Sequence, residues 1–175
     1  SIEIENKKYD LYTNICKNNI SEGYKKQVSF RYEYVPIFKY KVENVEITKM
    51  VCMEYGYNTV GVYYKIRNKG KKAKLTLAPI LNFRDFHQMS TERNFSVRQN
   101  INDNKVKIII DENSETPIYM RLSEGRYIKY ENDMFRNMFY IEEEKRGFYA
   151  EENHAIPGIY EVEIPENETK EIHYI

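Results

Sequence analysis

Apolar and polar residues alternate at every second position along most of this chain, and that period of two limits it to strands with one dry face and one wet face. Val28, Phe30, Tyr32 and Tyr34 alternate with Ser29, Arg31 and Glu33. Val45, Ile47, Val51, Met53 and Tyr55 share one parity, interrupted by Lys49, and Val60, Val62, Tyr64 and Ile66 share another. Ala73, Leu75, Leu77, Leu81 and Phe83 form a further face. The pattern returns in Val106-Ile108-Ile110, Ile118-Met120-Leu122, Tyr160-Val162-Ile164 and Ile172-Tyr174.

Turn clusters separate these runs: Glu5-Asn6-Lys7-Lys8, Tyr55-Gly56-Tyr57-Asn58, Asn68-Lys69-Gly70, Asn102-Asp103-Asn104, Ser123-Glu124-Gly125 and Pro165-Glu166-Asn167. Gly and Asn tolerate the positive φ that tight hairpins require. Short strands punctuated in this way, roughly 10 to 13 of them, predict an all-β fold, a large antiparallel two-sheet β-sandwich. Pro36 and Pro79 interrupt strand patterns and predict edges or bulges. Two stretches do not alternate, residues 84–93 and 141–154; one helical turn is expected over 141–146. No internal repeat, linker or low-complexity tract divides the chain, so residues 1–175 read as one domain.

The 27 basic and 27 acidic residues cancel, which argues against nucleic acid or an anionic membrane as the main partner. No apolar run approaches the ~20 residues of a membrane span, and no basic region followed by an apolar stretch marks a signal peptide. Two cysteines, Cys16 and Cys52, are fewer than a secreted disulfide scaffold carries, and they predict unpaired thiols and a cytoplasmic protein. The 17 tyrosines suit half-buried strands.

The sharpest chemical constellation is Asn82-Phe83-Arg84-Asp85-Phe86-His87-Gln88 at the end of a core strand. Arg84 and Asp85 offer charge-assisted hydrogen bonds to sugar hydroxyls, Phe86 a ring for the apolar face of a pyranose, and His87 a donor or acceptor. The competing reading is an internal Arg84–Asp85 pair that fixes the loop, with Phe86 in the core. Asp85 and His87 would need His154 or His173 as a third metal ligand, and no recognised spacing links them, so neither a metal nor a cofactor is expected. A second cluster holds Glu142-Glu143-Glu144-Lys145-Arg146-Gly147 and Glu151-Glu152, with Glu144, Arg146, Glu151 and Glu152 as secondary candidates. Glycosidases use two carboxyl groups, ~6.5–9.5 Å apart for inversion and ~5–5.5 Å for retention. With 27 acidic residues, composition selects no such pair. No Gly-x-Ser-x-Gly elbow and no glycine-rich phosphate loop occurs.

Three stretches together resemble the N-terminal domain of bacterial and archaeal glycogen debranching enzymes of the amylo-α-1,6-glucosidase type. They are Lys49-Met50-Val51-Cys52-Met53-Glu54-Tyr55-Gly56-Tyr57-Asn58-Thr59-Val60, then Leu77-Ala78-Pro79-Ile80-Leu81-Asn82-Phe83-Arg84-Asp85-Phe86-His87, then Glu142-Glu143-Glu144-Lys145-Arg146-Gly147 with Glu151-Glu152 and Pro157-Gly158. The Arg-Asp-Phe-His run after a Leu-rich strand is the most specific of them. Related proteins often carry a Trp before the third stretch, where this chain reads Met134-Phe135-Arg136-Asn137-Met138-Phe139-Tyr140.

The resemblance implies a β-super-sandwich that is part of a larger enzyme and lacks the family's first strands. It also implies a partner, the downstream catalytic α/α barrel of the same chain, which carries the carboxylates that hydrolyse α-1,6-linked glucose. The domain itself is then non-catalytic, and Arg84, Asp85, Phe86 and His87 either line the cleft for α-glucan (glycogen or maltooligosaccharide) or brace the interface with the barrel. An autonomous carbohydrate-binding module and a purely structural or assembly domain are the alternatives.

Overall fold

The computed structural model describes residues 1–17, 19–85, 88–90, 96–111, 113 and 115–175. Wherever period-two runs meet turn residues the chain folds back on itself, and every strand pair is antiparallel. Among the described residues the strands are β1 (Ile2–Ile4), β2 (Lys7–Tyr9), β3 (Ile15–Cys16), β4 (Asn19–Ile20), β5 (Gln27–Glu33), β6 (Val35–Val42), β7 (Val45–Met53) and β8 (Val60–Asn68). They continue with β9 (Ala73–Leu77), β10 (Val97–Asn102), β11 (Lys105–Ile110), β12 (Ile118–Arg121), β13 (Arg126–Phe139), β14 (Glu151–Ile164) and β15 (Thr169–Tyr174). The α-helix α1 (Ile141–Lys145) is the single turn expected from the sequence.

One layer is a seven-stranded sheet in the order β2-β1-β9-β14-β13-β3-β4. The other is a five-stranded sheet, β15-β8-β7-β6-β5, extended by a three-stranded sheet, β10-β11-β12. The join is made just past the end of β12. Leu122 bridges Tyr174, and Arg121 and Ile175 exchange backbone hydrogen bonds of 2.8 and 2.9 Å. All three sheets supply the same core: Ile2, Leu75, Tyr160 and Val162 from the first, Ile47, Ile66 and Ile172 from the second, Val106 and Ile108 from the third. The all-β, two-layer antiparallel sandwich expected from the alternation is the observed fold.

The irregularities have local causes. Proline cannot donate to a ladder, and both interrupting prolines lie where pairing stops. Pro36 faces Tyr32 of the edge strand β5, and the ladder to β7 begins only at Ile37. The face expected from Ala73 through Phe83 breaks at Pro79: β9 stops at Leu77, and residues 78–80 run unpaired opposite residues 156–159 before Leu81 bridges Ala155. Pro157 coincides with a register shift in β13 between Lys129 and Asp133. The Gln99 side chain fills that gap. Its amide donates to the carbonyls of Pro157 at 2.7 Å and Tyr130 at 3.3 Å, and its oxygen accepts from the Tyr127 hydroxyl at 2.7 Å. Residues 151–154, expected to be irregular, form the first part of β14 instead. Cys16 and Cys52 are free thiols, and among the described residues no helix is long and apolar enough to cross a membrane.

Candidate functional site

The loop after β9 is tied at both ends to one stretch of β14. Leu81 and Ala155 exchange backbone hydrogen bonds of 2.9 Å at its start, and Asn153 N–H donates to the Ser90 carbonyl at 2.8 Å at its end. One residue before Asn153 on β14 lies Glu152, 1% exposed. A carboxylate at that depth requires donors on its oxygens, and it has them. The Arg84 guanidinium forms a fork, with Nε on Oε1 and Nη2 on Oε2 at 3.2 Å. Ser90 N–H donates to Oε1 at 3.1 Å, and the Tyr140 hydroxyl donates to Oε2 at 2.8 Å. Tyr140 immediately precedes α1, so one carboxylate joins the loop, the helical turn and β14.

Burial alone would push the Glu152 carboxyl up. The hydrogen bonds from Arg84, Tyr140 and the Ser90 N–H together outweigh it and hold the group below the usual carboxylate range. Burial also pushes the Tyr140 hydroxyl up, and the neighbouring Glu152 charge adds to that. His154 stands two residues along β14, with Nε2 3.4 Å from the Tyr140 oxygen and 3.9 Å from Glu152 Oε2. Desolvation lowers its pKa against the pull of Glu152, so the ring is neutral at pH 7. Tyr140 has one proton and gives it to Glu152. The contact with His154 therefore calls for Nε2–H as donor and leaves Nδ1 as the bare acceptor, buried without a partner among the described residues.

Arg84, the lead residue of the sequence analysis, thus has its guanidinium on Glu152, a secondary candidate 68 positions away. Arg84 Nη1 also donates to the Asp85 carbonyl at 3.1 Å. The Asp85 side chain lies on the exposed part of the loop. Phe86 and His87 lie outside the described residues. The other charged candidates stand apart from this centre. Glu151 pairs with Lys17 at 2.6 Å, Glu144 is exposed on α1, and Arg146 closes onto the Glu142 carbonyl at 3.1 Å and the Glu143 carboxylate. Tyr140, Ser90 and His154 belong to the network although the sequence analysis assigned them no such place. The available signal was Glu152 and His154 two apart, which puts both on one face of a strand.

Chemically this is a brace. A depressed carboxyl with three donors is a poor proton donor, whereas a glycosidase acid needs a raised pKa. Among the described residues no three His, Cys, Asp or Glu side chains are grouped to hold a metal ion.

Fold and site together define an antiparallel β-sandwich in which the chain leaving β9 is anchored to β14 by the Arg84–Glu152 ion pair. The chain belongs to the glycogen debranching enzyme N-terminal domain family, whose sequence model matches residues 1–171. No curated protein matches the chain.

Proposed function

We propose that this chain is the non-catalytic N-terminal domain of a glycogen-debranching amylo-α-1,6-glucosidase, packing on the catalytic α/α barrel of the same cytoplasmic enzyme and contacting α-glucan. The observation that carries the reading is the family match over residues 1–171. The locked state of Glu152 supports a scaffolding role for its surroundings, since the bracing groups hold the exposed loop that carries Asp85 at a fixed place on β14.

The test is calorimetric titration of the chain with maltooligosaccharide and with branched glucan, alongside α-1,6-glucosidase assays of the chain and of the full-length enzyme. The chain is expected to be inactive and the full-length enzyme active. Glucan binding by the chain that Asp85→Ala abolishes places the contact at this loop. Hydrolysis by the chain alone overturns the non-catalytic reading.

A further inference from the structure

The inner face of the five-stranded sheet extends past the layer that covers it. Its register defines the face: Phe30 pairs with Phe38, Phe38 with Lys49, and Lys49 with Tyr64, and residues paired across strands point to the same side. At one end of this face Val42, Val45, Ile47 and Ile66 are buried in the common core. At the other end Phe30 is 54%, Tyr32 72% and Met53 71% exposed, and Val60, opposite Met53, is exposed with them. β5 is exposed at all but its first residue. Large apolar surface in this arrangement marks an interaction site.

Lys49 occupies the middle of the face. Its ammonium lies 5.8 Å from the centre of the Phe38 ring, and burial lowers its pKa. No carboxylate pairs with it among the described residues, whereas Lys65 and Lys69 nearby pair with Glu171 and Glu46. The positions of β6, β7 and β8 on this face hold no acidic residue at all. The Phe30 and Phe38 rings pack 5.0 Å apart beside it.

We propose that this overhang is the surface on which the remainder of the debranching enzyme docks, through an apolar polypeptide face that brings a carboxylate to Lys49. The proposal rests on the reading above that the chain is one domain of a larger enzyme. Closing an apolar surface over an unpaired ammonium is costly, so the occupant must neutralise it. The same composition argues against glucan as the occupant. Sugar hydroxyls need acceptors as well as donors, and β6–β8 offer only tyrosine hydroxyls as side-chain acceptors on the half-covered part of this face, among aliphatic residues.

Hydroxyl-radical footprinting read by mass spectrometry tests this, with the 175-residue chain compared with the full-length enzyme that contains it. In the full-length enzyme, labelling of Phe30, Tyr32 and Met53 is expected to drop to the level of the core residue Tyr160, with loss of Lys49 acetylation. Lys49→Glu in the full-length enzyme should restore labelling of all three, while Lys49→Arg should not, and circular dichroism of each variant chain confirms that the sheet has formed. Protection elsewhere on the domain but not on this face overturns the docking surface and leaves the multidomain reading standing. No protection anywhere on the domain overturns that reading too. Protection of the same residues in the isolated chain by maltoheptaose overturns the polypeptide occupant in favour of a glucan site.

Discussion

Removing Arg84 from Glu152 separates a structural brace from an incidental contact. In Arg84→Met the fork is lost and the carboxylate stays fully buried, while Tyr140 and Ser90 still donate to it. Breaking a buried pair by deleting one partner costs about 3–5 kcal/mol. The low end applies because two donors survive and the Arg84 side chain is 25% exposed, so water replaces part of what it offered. A loss of about 3 kcal/mol in a domain of this size lowers Tm by about 6–12 °C. The pH dependence gives the sharper test. In the wild type the folded carboxyl titrates below the ordinary glutamate value of 4.5, so the pair's stabilisation is complete above that pH and declines as pH falls through the folded value. In Arg84→Met burial prevails and raises the folded value above the unfolded one. The destabilisation is then full at neutral pH and shrinks as the carboxyl takes up its proton. Urea unfolding of both proteins at pH 7 and pH 4 should show the gap closing on acidification. Glu152→Gln, which removes the charge and leaves the partly exposed arginine to hydrate, should cost less than half as much at pH 7. The double variant Arg84→Met/Glu152→Gln should recover much of the Arg84→Met loss. An Arg84→Met protein within 1 kcal/mol of wild type, or one whose deficit is the same at both pH values, would show that the pair does not hold the loop.

Substitutions at Gly158 and Gln99 test the irregular middle of the seven-stranded sheet, with Gly56 in the β7–β8 turn for comparison. At Gly158 an added Cβ would stand 2.4 Å from the Ile128 carbonyl oxygen and 2.5 Å from the Tyr127 hydroxyl, so Gly158→Ala should destabilise by about 3 kcal/mol in urea unfolding. At Gly56, where the space is open but φ is +80°, Ala should cost only about 1 kcal/mol. Gln99→Met keeps the volume but removes the donors to the Pro157 and Tyr130 carbonyls and the acceptor for Tyr127; thermal unfolding should report a loss of about 2–3 kcal/mol, and an unchanged Tm would mean that water replaces the amide.

The sequence carries the fold class because hairpin strands with one wet face write their geometry into alternate residues, as in Val45-Glu46-Ile47 and Val60-Gly61-Val62. The pairing of the two longest strands among the described residues, β13 with β14, is hidden for the opposite reason. β13 has register shifts between Lys129 and Asp133 and between Phe135 and Met138, with Asn132 and Asn137 at positive φ. The first shift adds two residues to β13 and the second adds one, so only the second changes parity, and Met134-Phe135 and Met138-Phe139 read as pairs rather than as an alternation. Residues 151–154 fail differently. Glu152 and His154 occupy buried strand positions that an apolar pattern would mark, and their polarity disguises them.

The site is legible only in part, and the reason is range. Charge and position single out Arg84 as a residue at the end of a core strand, and a local partner, Asp85, is the natural guess. The buried partner is Glu152, far along the chain, and it is chosen by topology: β9 and β14 are neighbours, and the chain leaving β9 stays on β14 through the Leu81–Ala155 bridge. A guanidinium three residues beyond that bridge meets the side chain three residues before its partner in an antiparallel run, which is Glu152. Sheet order therefore converts two unremarkable charged residues into one structural unit. The same order leaves Lys49 without a carboxylate among the described residues, on a face that runs on to the exposed Phe30, Tyr32 and Met53.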